Sequence, residues 1–208
     1  MKTALILETS QDIPEEIRKK LTSDLTPIFH IKDRESAITK SPDSPTFIQI
    51  IGEVAQWITP LKATVISFLY HVSKQIAKRV ADDIWDHKAE ILKILKEATF
   101  SPMRQIAQAF LKLKKNFPKK IEITVGLPIP EEYFGTVFTF KANDEVEIIW
   151  YLANFINKVE EIDKAMQLEV KKGNKPLGRA FLTLQPNGSF IVRWKDQKEM
   201  KKHELQIK

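Results

Sequence analysis

The chain has 208 residues, 43% apolar and 29% charged, with 33 Lys and Arg against 27 Asp and Glu and no cysteine. This composition belongs to a folded globular protein. It excludes a disulfide framework, a thiolate nucleophile and a cysteine-held zinc or iron–sulfur centre. The net charge of +6 is uneven: residues 101–120 carry six positive charges and no negative one, residues 121–172 sum to −5, and residues 173–208 to +5.

The first residues, Met1 to Glu8, hold an uncharged stretch too short for a signal-peptide core, and Thr3–Leu7 reads as a strand. Asp12 and Glu15 have capping-box spacing, so a helix is expected from Asp12, with Pro14 in its first turn and Ile13, Ile17 and Leu21 facing inward. Pro27–Ile31 reads as a second strand, and residues 33–45, with Pro42, Ser44 and Pro45, as a linker.

From Thr46 to Phe117 the pattern is helical. Phe47, Ile50, Ile51, Val54, Trp57 and Ile58 recur at helix spacing, and Thr59-Pro60 reads as a cap that restarts the helix. Apolar residues from Leu61 to Ala98 then repeat about every 3.7 residues, which predicts one long helix without the 3.5 period of a left-handed coiled coil. Ser101-Pro102 repeats the cap ahead of Met103, Ile106, Phe110, Leu113 and Phe117. Further on, Lys120–Val125 and Thr136–Lys141 read as strands. Asp144 and Glu147 cap a long helix that Gly173 stops, and Leu177–Leu184 and Ser189–Trp194 form a hairpin about Pro186-Asn187-Gly188.

The expected architecture is α+β: an N-terminal β-α-β unit with linker (1–45), a middle of long helices (46–118), and a C-terminal ββαββ antiparallel sheet with one helix packed on it (119–208).

Few residues suggest chemistry. Gly173 to Ala180 imitates P-loop spacing, but helix precedes loop and strand follows. Arg179 and Ala180 also stand where the Lys and the hydroxyl would be, so the segment reads as a helix stop. Asp82, Asp83, Asp86, His87 and Glu90 form a dense acidic set on one helix. No second helix offers matching ligands, so a charged surface with a core histidine is expected rather than a metal site. His30, His71 and His203 are isolated from any nucleophile motif. No catalytic residue, cofactor or metal is therefore assigned.

Two features remain. Phe47 to Val72 contains only Glu53 and Lys62 as charged residues, which raises three possibilities: core, partner surface or membrane element. Within it, Val65, Ile66, Phe68, Leu69, Tyr70 and Val72 are apolar nearly all round the helix. They are expected to be covered by the 47–58 helix, the 102–117 helix or a second subunit. Arg104, Lys112, Lys114, Lys115, Lys119 and Lys120 are the candidate polyanion contact. Arg179, Arg193 and Lys195 could extend it, with Phe181 or Trp194 as stacking surfaces.

The leading expectation is a non-enzymatic protein-interaction or accessory module in the cytoplasm, with a protein partner or self-association. The alternatives are nucleic-acid or other polyanion binding through residues 104–120, and membrane association through residues 47–72.

Overall fold

The computed structural model describes residues 5–10, 13–35, 46–76, 88–96, 100–116, 121–129, 132–140 and 144–207. The chain is α+β. Its strands are β1 (Leu5–Thr9), β2 (Ile31–Glu35), β3 (Thr46–Ile51), β4 (Ile121–Ile129), β5 (Glu132–Phe140), β6 (Ala180–Leu184), β7 (Phe190–Lys195) and β8 (Lys202–Ile207). The helices are α1 (Glu15–Leu25), α2 (Val54–Ile76), α3 (Lys88–Leu95), α4 (Ser101–Asn116) and α5 (Glu145–Lys171).

All the strands join one 8-stranded sheet in the order β2-β1-β3-β4-β5-β6-β7-β8. Its register carries one row of side chains through Leu7, Ile50, Val125, Phe138, Leu182, Val192 and Leu205. All but the half-buried Leu205 are buried, so this face is the core face. The contacts of α1 with α4, α4 with α5, and α2 with both α3 and α5 place the helices in one layer over it.

The sheet is mixed: β1/β2, β3/β4 and β5/β6 are parallel, and each of these pairs needs a crossover connection. With every crossover on one face, strand order and direction force the β5–β6 crossover to wind opposite to the other two. The three cannot all follow the prevailing right-handed rule.

Local chemistry explains where the elements begin and end. Asp144 accepts from the amide of Glu147 at 2.9 Å, so the expected cap of α5 forms. At the other end Gly173 has φ +89 and the amide of Asn174 reaches the Glu169 carbonyl at 3.0 Å, a six-residue closure that ends the helix. The β6–β7 turn closes from the Gly188 amide to the Gln185 carbonyl at 3.0 Å.

Several expectations are corrected. Residues 46–51 form β3, a strand hydrogen-bonded between β1 and β4, not the start of a helix. The 47–72 stretch is therefore split between strand and helix. Among the described residues no helix is long and apolar enough to cross a membrane. Pro60 does not break the chain but lies inside α2, whose start is fixed by the Gln56 side chain accepting the Glu53 amide at 2.8 Å. Pro14, with ψ 141, is the residue before α1 rather than part of its first turn, and Asp12 lies outside the described residues. The second strand begins at Ile31 and does not span 27–31. The C-terminal unit gains a further strand, β8, and is not purely antiparallel because β5 and β6 run together. The proposed single helix over 61–98 crosses residues 77–87, which lie outside the described residues.

Candidate functional site

The helices leave one face of the sheet free of helix among the described residues, and there the strand alternation decides which side chains meet. On β6, Ala180 and Leu182 turn inward, which sends Phe181 and Thr183 outward. On β7, Phe190, Val192 and Trp194 turn inward, which sends Arg193 and Lys195 outward. The register sets Phe181 beside Arg193 and Arg193 beside Glu204, with Lys195 directly opposite Lys202. Arg179 precedes Phe181 by two residues and lines the same groove, entering through Gly178, whose φ of +81 suits a residue without a Cβ.

The groove has a volume of about 510 Å³, with Leu177 at its rim, and it sets four cations (Arg179, Arg193, Lys195 and Lys202) against a single carboxylate, Glu204. That carboxylate is engaged by Arg193 Nε at 2.6 Å. Lys195 and Lys202 make no ion pair among the described residues. Like charges directly opposed across two strands repel, so this pair costs stability until an anion lies between them. Arg179 is half-buried; burial lowers its pKa, and the Glu8 carboxylate on β1 partly offsets this. Phe181 is 55% exposed.

A clamp, two of whose members (Trp194 and His203) also line the groove, holds β7 and β8 together. Asp196 accepts from the Glu199 amide at 2.6 Å, the Lys201 amide at 3.0 Å and His203 Nε2 at 2.9 Å. His203 stacks on Trp194 with ring centroids 5.1 Å apart, and Trp194 Nε1 donates to the Asn174 carbonyl at 2.9 Å. An ionised carboxylate only accepts, so His203 carries its proton on Nε2. Its contacts with the Asp196 carboxylate and the Trp194 ring tie β7 to β8. Trp194 is core, not a stacking surface.

The Glu199 amide, then the His203 bond, then the Lys201 amide hold the Asp196 carboxyl down at about 2, against an ordinary value of 3.8. A depressed carboxyl gives its stabilisation in full above the unfolded pKa and loses it as pH falls through the folded one. Asp196→Asn is therefore expected to lower Tm at pH 7, and the gap from wild type should close as pH falls from about 4 to 2. Thermal melts across that range check it; a pH-independent gap would assign the loss to shape rather than charge.

The other candidates disperse. Arg104 pairs with Glu145 at 2.8 Å and Lys112 with Asp24 at 3.8 Å, so part of the basic segment is neutralised by α5 and α1. Lys114 and Lys115 are exposed on α4, and Lys119 and Lys120 lie outside the described residues. Arg104, Lys112, Lys114 and Lys115 belong to α4 in the helical layer, and Arg193 and Lys195 stand on the opposite side of the sheet, so the structure does not join them. Along α2, Val65, Phe68 and Val72 are in the core, Leu69 is half-buried, and Ile66 and Tyr70 are exposed. The helix packs chiefly on α5, with further contacts to α3 and α4 and with Phe100 against Phe68 at 6.0 Å; of the expected covers, the 102–117 helix does touch α2, while the 47–58 segment is partly strand. His71 donates Nδ1–H to the Ser67 carbonyl at 2.7 Å and packs on Phe100, and His30 is exposed. Asp82, Asp83, Asp86 and His87 lie outside the described residues; among those described, no group of three or more metal-ligating side chains gathers.

Sequence reading missed Lys202, Leu177 and the Asp196 clamp. Asp196 heads the turn Asp-Gln-Lys-Glu, where an aspartate that binds its own downstream amides is a readable signal. Comparison with known proteins finds no matching family model, curated protein or solved structure.

Proposed function

We propose that this protein binds nucleic acid through the phosphate backbone, on the helix-free face of β6, β7 and β8. The observation that carries the reading is the like-charged pair Lys195 and Lys202, set directly opposite one another in a groove with Arg179 and Arg193. Cations that repel in the free protein and gain from a shared anion favour the bound state. Phosphates satisfy them without any need for an enzyme site or a cofactor. Among polyanion readings, the sheet is favoured over residues 104–120 because Arg104 and Lys112 already hold carboxylates.

Lys195→Glu tests it because it moves stability and binding in opposite directions. The new Glu faces Lys202 as an opposite-charge pair and should raise stability by about 0.2–1 kcal/mol. Affinity for an oligonucleotide should fall at low salt, and the slope of log K against log salt should drop by at least about 1. Anisotropy titrations at several salt concentrations measure both terms. A wild-type protein that binds neither DNA nor RNA at low salt defeats the proposal.

A second reading, a protein partner seated on α2, is favoured by Ile66 and Tyr70, which are 52% and 60% exposed one turn apart. The Lys195 variant leaves that surface intact, so a partner it still retains belongs to α2.

A further inference from the structure

Resting on the phosphate-binding reading, we propose that Phe181 is a stacking platform that makes the face selective for single-stranded nucleic acid. An exposed apolar side chain is ordinary by itself. Phe181 differs in its setting. It is 55% exposed, stands outward from β6, and has Arg193 directly across on β7 and Arg179 two residues before it. Lys195 and Lys202 lie beyond Arg193 in the same groove.

A ring on an open sheet face, flanked by guanidinium groups, offers an unstacked base a π-surface while the cations follow the chain of phosphates beside it. In a duplex the base faces are already occupied by their neighbours, so the ring adds nothing to duplex binding. The electrostatic part of the site should therefore treat all polyanions alike, and the aromatic part should separate single strands from the rest. Because stacking accepts any base, sequence preference should be weak.

The test compares wild type, Phe181→Ala and Phe181→Trp against four labelled probes: a single-stranded oligothymidine, its duplex, an abasic strand of equal length, and heparin. Phe181→Ala should weaken the oligothymidine complex by roughly 5- to 100-fold. Duplex, abasic strand and heparin should change less than about twofold, and Phe181→Trp should restore single-strand affinity. Loss of folding is a small risk at an exposed position, and the unchanged probes report it directly. If Phe181→Ala binds all four probes as wild type does, the stacking role is wrong while phosphate binding stands. If it weakens all four alike, Phe181 only shapes the groove. If wild type binds none of them, the phosphate-binding reading itself fails.

Discussion

Phe68→Asp is expected to leave the protein without a cooperative unfolding transition at 25 °C. The ring is fully buried in α2, meets Phe100 edge-on at 6.0 Å, and lies on the helix that packs against α5. Removing a buried Phe ring costs about 3–5 kcal/mol, and an unpaired carboxylate in its place costs several more. Together these approach the roughly 5–15 kcal/mol that holds a typical domain together. Ile66→Asp is the control: it sits on the exposed side of the same helix and should shift stability by no more than about 0.5 kcal/mol. Guanidinium titrations followed by circular dichroism separate the two. Equal midpoints for both variants would mean that the α2–α5 contact is not a principal source of stability.

Trp57→Ala carries the second large effect, for a different reason. Trp57 is buried, packs edge-on to Phe29 at 5.8 Å and Phe155 at 5.3 Å, and shares its indole N–H between the carbonyls of Gly52 at 3.1 Å and Gly126 at 3.0 Å. It thus ties α2 to the end of β3, to the middle of β4, to α5, and to the segment before β2. Alanine should cost about 3–5 kcal/mol for the ring, and about 1–3 more for the polar group left without a donor. The Gly126 carbonyl keeps the Gly52 amide at 3.1 Å, so the Gly52 carbonyl bears most of that second loss. Trp57→Phe retains most of the apolar contact and should lose about 1–3 kcal/mol, isolating the hydrogen bond. Urea midpoints for the three proteins give the partition; a Phe variant as stable as wild type would remove the hydrogen bond from the account.

What the sequence revealed follows from which signals were local. The Asp144 cap, the Gly173 stop and the turn at Gly188 depend on a few adjacent residues, and each formed where it was expected. Thr46 to Ile51 misled because Phe47, Ile50 and Ile51 join Val54, Trp57 and Ile58 at helical spacing. A short apolar run buried between two other strands has no alternation to betray it. The strand β8 was legible but weak: His203, Leu205 and Ile207 alternate with Lys202, Glu204 and Gln206, and only two of the inward three are apolar.

The candidate site was half visible. Arg193 and Lys195 follow from alternation within one strand, and Phe181 and Arg179 share that period on another. Lys202 becomes their neighbour only through a cross-strand register, which no single segment encodes. The same limit explains the grouping of Arg104 and its lysines with Arg193: charge sums along a chain do not say which side of a sheet receives the charge.

The order of strands also bears on how the chain assembles in time. β6, β7 and β8 are joined by short connections and pair with their sequence neighbours, while β3 must find β4 across all of α2, α3 and α4. Closing a long loop is slow because its entropy is lost before its contacts are gained. The three strands that carry the basic groove, like the β4–β5 hairpin, are therefore a quick-forming part of the sheet, and the β3–β4 pairing is the late step. When the full-length chain refolds, the surface proposed to meet nucleic acid takes shape while the central seam of the sheet is still open; during synthesis, where β3 and β4 are made before β6, the order is reversed.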